Sequence, residues 1–220
     1  MVGIGLINQR GGLGHLVIDS SETLIGPPPA QALFSPCRAS HPQLADCRAW
    51  DEVGDRPCRV YRYALARTWG VGPASNERAA TFVMLNPSTA DGRTDDPTIR
   101  RCVRFAQREG LGGIVVVNAY ALRTTDPAGL VGHSDPVGPD NDQVIAAVLC
   151  ERTPGPVIVA WGADKTMRGS ARPEQVIKLL RANGVEPQCL GTTIDGYPRH
   201  PLFLKHDTPL RPYPAMSRMG

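Results

Sequence analysis

The stretch GGIVVVNAYALRTTDP, residues 112–127, runs from two glycines through four aliphatic residues directly into an asparagine. A short apolar run bounded by glycine and polar residues predicts a strand buried on both faces. Asparagine is depleted in strands, and burying its amide without a partner costs free energy. We therefore predict that Asn118 sits at the mouth of a pocket and reads a nucleobase edge. The alternative is that Asn118 only caps the loop after the strand.

The surrounding chain repeats this pattern of apolar strands alternating with amphipathic helices. Helix 95–110 is the clearest, because an aspartate cap, Pro97 in the first turn and a terminal Gly110 mark its ends. Continuous apolar strands that alternate with helices indicate a parallel sheet covered on both faces. The predicted fold is α/β, with three α/β/α layers and a mostly parallel central sheet. The other predicted strands are 58–67, 78–85, 154–162 and 185–191, and the other helices are 140–153 and 173–184.

The first 57 residues differ from the rest, because they contain proline-rich stretches and little sustained periodicity. We predict that residues 1–57 form an irregular N-terminal extension and that residues 58–220 form the α/β domain. Apolar residues make up 41% of the 220 and charged residues 20%, as in ordinary soluble proteins. No signal peptide and no apolar run of roughly 20 residues is visible, so we expect a soluble, cytoplasmic protein without a membrane segment. A formal charge of +3 permits nucleic-acid binding without demanding it.

The six cysteines form no C-x-x-C pair, so neither a zinc ribbon nor a clustered iron–sulfur motif is visible. Cys102 and Cys150 fall within apolar helical patterns. We predict that both are buried, reduced thiols. No cofactor and no structural metal is expected.

Polar residues follow the predicted strands in four segments, LNPSTADGRTDDP, NAYALRTTDP, WGADKTMRG and DGYPRHPLFL. In an open α/β sheet, ligands bind outside the carboxyl ends of the strands, so these segments should converge. The pair Asn86–Pro87 forms a rigid loop that holds an amide or a water, or else an ordinary turn. His200 lies in an equally rigid proline-rich stretch, which suits a preorganised donor, although a lone histidine is more often a surface residue.

Three further residue types have open interpretations. Tyr120 either stacks on a base or packs in the core, and Trp161 is more typical of packing than of catalysis. The acidic cluster of Asp91, Asp95 and Asp96 is either a magnesium site or a helix cap with arginine-paired neighbours. The second interpretation is the simpler one.

Two levels of resemblance follow from these motifs. VVVNAYAL, VIVAWGA and HPLFL, in that order behind LNPS, resemble the motifs of the uracil-DNA glycosylase superfamily. More closely, YRYALARTW, FVMLNPSTADGRTDDPTIRRC, DPVGPDND and DGYPRHPLFL resemble the bacterial and phage family known as domain of unknown function 1643. The resemblance covers roughly residues 59–212. The resemblance to the uracil-DNA glycosylase superfamily implies a uracil-DNA-glycosylase-like fold.

The superfamily resemblance implies a role for each matching residue. Asn86 would position the attacking water, with Asp91 nearby; Asn118 would read the base, and His200 would stabilise the departing base. HPLFL lacks the superfamily's first serine, which touches DNA phosphate, so other residues must supply that contact. The implied base pocket also includes Pro87, Tyr120 and Trp161. The candidates for DNA contact are Ser88, Thr89, Arg93, Arg199 and Lys205.

The implied function is a monofunctional DNA glycosylase that hydrolyses an N-glycosidic bond and leaves an abasic site. The implied partner is DNA, and the expected substrate is a modified pyrimidine, such as glucosylated hydroxymethylcytosine of phage DNA in anti-phage defence. The glycine-rich loops at 110–113 and 129–138 would leave room for a bulky adduct. Two alternatives are a non-catalytic module that binds modified DNA and a metal-dependent nucleotide phosphohydrolase that uses the acidic cluster.

Overall fold

One sheet organises the chain. The computed structural model describes residues 14–19, 60–69, 78–88, 90, 95–151 and 155–214. Seven strands within these ranges form the sheet, in the order β1-β2-β4-β3-β5-β6-β7. The strands are β1 (Gly14–Asp19), β2 (Arg62–Thr68), β3 (Ala79–Met84), β4 (Gly113–Asn118), β5 (Val157–Val159), β6 (Gln188–Cys189) and β7 (Arg211–Pro212).

Helices cover both faces of the sheet. Ile99 and Phe105 of the first helix pack on one face against Phe82 and Ile114, while the third and fifth helices cover the opposite face. The two faces are separated by the strict alternation of side chains along β3 and β4. The helices are α1 (Pro97–Arg108), α2 (Ala128–Gly132), α3 (Asn141–Glu151), α4 (Lys165–Arg168), α5 (Arg172–Ala182) and a 3₁₀ turn at Pro201–Phe203.

The α/β fold is confirmed, but the prediction of a mostly parallel sheet is wrong. β3 runs parallel to β4 and β5, and β5 runs parallel to β6. The other three pairings, β1 with β2, β2 with β4, and β6 with β7, are antiparallel. The error arose because an apolar strand reports burial on both faces rather than direction. β2 is almost fully buried, although it runs antiparallel to both neighbours.

Local signals placed the ends of α1 correctly. The Asp96 side chain accepts a hydrogen bond from the backbone N–H of Ile99 at 2.8 Å, and Pro97 occupies the first turn. Gly110 adopts a φ of 67° just beyond the helix, a conformation that favours glycine. α1 therefore begins and ends where its capping residues predict.

One segment of the predicted N-terminal extension belongs to the sheet. Gly14–Asp19 pairs antiparallel with β2 from Gly14 opposite Thr68 to Asp19 opposite Arg62. The rest of residues 1–57 lies outside the described ranges. Within those ranges, no helix is long and apolar enough to cross a bilayer.

The two predicted buried thiols have different environments. Cys102 is a free, fully buried thiol in α1, and burial raises its pKa well above the usual range. The prediction for Cys150 is wrong, since this residue is exposed and disulfide-bonded. It lies near the end of α3 on the side turned away from the core.

We predict that Gly155→Ala destabilises the fold because the backbones of β3 and the segment before β5 approach closely there. A Cβ atom at Gly155 would lie 2.0 Å from the carbonyl oxygen of Ala79. Such overpacking against backbone costs about 1–3 kcal/mol of unfolding free energy. Urea denaturation measures the difference.

The matched control is Gly132→Ala, because nothing lies within 4 Å of a Cβ atom at that position. This variant should be unchanged or more stable by up to about 1 kcal/mol. Equal unfolding midpoints for the two variants would contradict the proposed close approach.

Candidate functional site

A pocket of about 640 Å³ opens at the carboxyl ends of the parallel strands. Met84 pairs with Asn118 across β3 and β4, and Val83 pairs with Val159 across β3 and β5, so the three strands end at one edge. The chain leaves β3 through α1 towards β4, and it leaves β4 through α3 towards β5 on the other side of β3. Ligands of open α/β sheets bind at such a switch point.

Asn118 lies at the centre of this edge. Its exposed fraction is only 2%, and it lines the pocket. No hydrogen bond joins its side-chain amide to any residue that the structure describes. An amide offers two donors and one acceptor, and the Asn118 amide is not among the fully buried polar groups without a partner, so it opens to the space of the pocket. The side chain is therefore arranged for a ligand or a water in the pocket.

Buried polar groups hold the backbone behind Asn118. The Asn141 amide donates to the carbonyl oxygens of Asn118 and Ala119, at 2.9 and 3.2 Å. Arg172 donates to the Ala119 oxygen at 2.6 Å and forms an ion pair with Asp142 at 2.5 Å. Because these groups satisfy the strand-end carbonyls from behind, the end of β4 is fixed while the Asn118 side chain is left for the pocket.

His200 also lines the pocket, just before the 3₁₀ turn. Its Nδ1 accepts a hydrogen bond from the backbone N–H of Leu202 at 3.3 Å. Nδ1 therefore carries no proton, and in the neutral ring Nε2 is the donor. Burial lowers the pKa of His200, and the Asp96 carboxylate partly opposes this. Because burial outweighs the effect of Asp96, the lowered pKa and the hydrogen bond at Nδ1 leave a neutral imidazole with one N–H at neutral pH.

The loop after β5 approaches His200 closely. Gly162 has a φ of 81°, and a Cβ atom there would lie 3.4 Å from the His200 Cβ. A larger residue would therefore adopt a strained backbone and crowd the imidazole. The Trp-Gly sequence after β5 therefore shapes the pocket through Gly162 as well as through Trp161.

Asn86 connects the loops that follow β3 and β4. Its Nδ2 donates to the carbonyl oxygens of Pro87 at 2.9 Å and Thr124 at 2.7 Å. The amide orientation is thereby fixed, and Oδ1 accepts no hydrogen bond from the described residues. Because Asn86 lines the pocket, this oxygen can accept a hydrogen bond from a bound water.

The structure does not bring every predicted base-binding residue to the pocket. Tyr120 is absent from the lining; its ring is buried in the core and its hydroxyl lies 3.0 Å from Ser170 Oγ. A bend at Ala119 breaks the strand alternation that would have kept Tyr120 on the same side as Asn118. Pro87 is buried outside the lining, and its role is to offer a carbonyl to Asn86 and Thr124. Trp161 lines the pocket but also packs edge-on against Tyr213.

The predicted DNA contacts are only partly brought together. Ser88 and Arg199 line the pocket, and Arg199 is exposed. Lys205 is exposed but lies outside the lining. Thr89, Arg93 and the catalytic candidate Asp91 lie outside the described residues.

The acidic cluster adopts the simpler of its two predicted roles where it is described. Asp96 caps α1, and Asp95 forms an ion pair with the fully buried Arg67 at 2.7 Å. Among the described residues, no group of three His, Cys, Asp or Glu side chains could hold a metal.

The glycine-rich loops do not shape the pocket. Residues 110–113 lie at the amino end of β4, opposite to Asn118, and no residue of 129–138 lines the pocket. The expectation that these loops leave room for an adduct is therefore wrong.

Several lining residues escaped the sequence analysis. Arg62 is 3% exposed and donates to the Ala90 carbonyl, although it reads as part of an ordinary strand. Asp164 caps α4 through Thr166, a signal visible in the order Asp-Lys-Thr. Leu202 and Phe203 belong to the HPLFL motif. Their exposure, 78% for Phe203, could not be predicted from the motif because it depends on the tertiary fold.

Comparison with known proteins gives one match. Residues 62–202, more than half of the chain, match the family described as "Protein of unknown function (DUF1643)". No curated protein and no solved structure matches the chain. The likeness to the uracil-DNA glycosylase superfamily stays a hypothesis from motifs. The matched segment contains β3, β4, β5 and the pocket residues from Arg62 to Leu202, and on this evidence the chain belongs to the DUF1643 family.

Proposed function

We propose that this protein is a DNA glycosylase that removes a modified pyrimidine from DNA. The observation that carries the proposal is Asn118, a buried residue whose amide has no described protein partner and opens to a pocket that His200 and Asn86 also line. An extruded pyrimidine presents adjacent donors and acceptors on one edge, which an amide can match.

His200 supplies the group that stabilises the departing base. As the glycosidic bond lengthens, negative charge develops on the base, and a fixed Nε2–H can donate to it. The hydrogen bond from Leu202 N–H to Nδ1 holds the ring and its tautomer. One preorganised donor of this kind contributes about 10²–10³ in rate.

Asn86 serves the attacking water. Its Oδ1 accepts a hydrogen bond from the water, while two backbone carbonyls hold its Nδ2. The C1′–N bond breaks with its electron pair on the base, the water oxygen bonds to C1′, and the water proton ends on the departed base. Asn86, His200 and the water are all neutral before reaction in this scheme.

The pocket volume favours a substituted base. A cavity of about 640 Å³ exceeds what a bare pyrimidine ring fills, which supports a substrate with a bulky adduct. Glucosylated hydroxymethylcytosine of phage DNA is the proposed example, and its removal would act in defence against phage. The exposed Arg199 at the rim is suited to the DNA phosphates.

A second candidate is a module that binds modified DNA without cleaving it. Both pocket aspartates act as helix caps, Asp96 on α1 and Asp164 on α4. Among the described lining residues, no carboxylate is therefore left to take a proton from water. The phosphohydrolase alternative has less support, since Asp95 and Asp96 are already engaged.

Incubation with phage-derived DNA that carries glucosylated hydroxymethylcytosine should create abasic sites. These appear as strand breaks after alkali on a denaturing gel. Unmodified DNA should stay intact, and a chelator should leave the rate unchanged. Tight binding with all glycosidic bonds intact would favour the binding module, and loss of activity with chelator would favour the phosphohydrolase.

Asn118→Ala and His200→Ala should each reduce the excision rate by about 10²–10³ because each removes a preorganised polar contact. Single-turnover rates on modified DNA provide the measurement, with circular dichroism to verify folding. His133→Ala is the control for His200, since its Nδ1 also accepts a backbone N–H two residues on, at 3.1 Å. Asn183→Ala is the control for Asn118, as an exposed asparagine outside the pocket. Full activity in both site variants would refute the assignment.

Excision should keep more than half of its pH 8 rate as the pH falls to 6.5, because burial lowers the pKa of His200 below its ordinary 6.5 and most of the imidazole stays neutral. Protonation of Nδ1 would replace its hydrogen bond from Leu202 with a repulsion. The stability that the neutral form contributes is complete above pH 6.5 and is lost as the pH falls through the lower folded pKa. A pH–rate profile tests this, and a His200-dependent fall centred at or above 6.5 would contradict it.

A further inference from the structure

A tight turn stands beside the pocket mouth, between β6 and His200. Thr192 and Pro198 form an isolated antiparallel bridge at its base. Within it, Thr193 N–H donates to the Tyr197 carbonyl at 2.8 Å, and Gly196 N–H donates to the Thr193 carbonyl at 3.0 Å. Thr193 lines the pocket, so the 192–198 turn forms part of its rim.

Side chains from outside brace the 192–198 turn. The Tyr213 hydroxyl donates to the Gly196 carbonyl at 3.0 Å. Arg168 of α4 forms an ion pair with Asp195 at 2.5 Å and lies over the Tyr197 ring at 5.5 Å. These contacts hold the tip of the turn in one position relative to the sheet.

Ile194 occupies the tip of the 192–198 turn and is 99% exposed. Single exposed apolar residues are normal on protein surfaces. Here, however, three of the five large exposed apolar residues in the described ranges, Ile194, Leu202 and Phe203, belong to the two segments that border the pocket mouth. The exposed Ile194 side chain buries almost no apolar surface on folding, so it adds nothing to the stability of the fold. It can bury this surface only by contact with a partner.

We propose that Ile194 is a DNA-contact residue that enters the base stack of a duplex beside the extruded nucleotide. The inference rests on the proposed glycosylase function. Extrusion leaves a gap in the stack, and apolar side chains inserted between base steps stabilise such distorted duplexes. A protein partner fits less well, since one isoleucine on a narrow turn is far smaller than the surface that a stable protein interface buries.

Charge at the same rim agrees with a duplex partner. Arg199 is exposed and lines the pocket, and its backbone N–H donates to the Gly191 carbonyl at 2.9 Å at the other end of this segment. Arg199 and Thr193, the neighbour of Ile194, therefore line the pocket from one continuous segment. The Arg199 guanidinium can contact a DNA phosphate, and the Ile194 side chain can insert between base steps of a distorted duplex.

The test uses a duplex that carries a tetrahydrofuran abasic analogue opposite 2-aminopurine, together with the analogue-containing single strand alone. Fluorescence anisotropy measures binding, and 2-aminopurine fluorescence measures unstacking. Ile194→Ala should weaken duplex binding by about tenfold, the value of burying one such side chain. It should also reduce the rise in 2-aminopurine fluorescence and leave single-strand binding unchanged. The control is Val131→Ala, which removes an apolar residue that is 71% exposed and outside the pocket lining.

The possible results distinguish a failure of the Ile194 proposal from a failure of the glycosylase proposal. Excision of modified bases by the wild-type protein, with Ile194→Ala binding the duplex as tightly as wild type, overturns the role of Ile194 alone. Equal weakening on duplex and single strand also overturns it, because a stack-entering residue needs a stack. If the wild-type protein neither excises bases nor binds the duplex, both proposals fall.

Discussion

The carboxyl end of β4 is the constraint on which the site depends. A strand that is buried on both faces must satisfy its last carbonyl groups without water. Asn141 and the Arg172–Asp142 pair do so from the α3 and α5 side of the sheet. With the backbone fixed from behind, the Asn118 side chain is left to the pocket on the opposite side.

Parallel pairing then brings distant parts of the chain to the same edge. Met84 opposite Asn118 and Val83 opposite Val159 align three strand ends. The loops that follow are tied to one another, Asn86 to Thr124 by a hydrogen bond and Gly162 to His200 by close contact. The pocket is thus preorganised by the sheet register and by short contacts between loops.

Local signals account for the parts of the fold that could be predicted from the sequence. The Asp96 cap and Gly110 mark α1, and the apolar run before Asn118 marks β4. Strand direction could not be predicted from such local signals. β2 is as buried as a parallel strand, yet it pairs antiparallel with β4. The position of Tyr120 was missed because one bend at Ala119 reverses the side that an alternating pattern predicts.

The sequence by itself determined the strand–helix alternation, the family resemblance and the choice of Asn86, Asn118 and His200 as candidate site residues, since each depends on residues adjacent in the chain. Only the tertiary structure decided that these three residues line one pocket with Arg62 and Phe203. It also decided that the Asp96 side chain caps the first turn of α1. The physical reason is that a pocket is defined by sheet order and by which polar groups remain unsatisfied. Both depend on contacts between residues that are far apart in sequence.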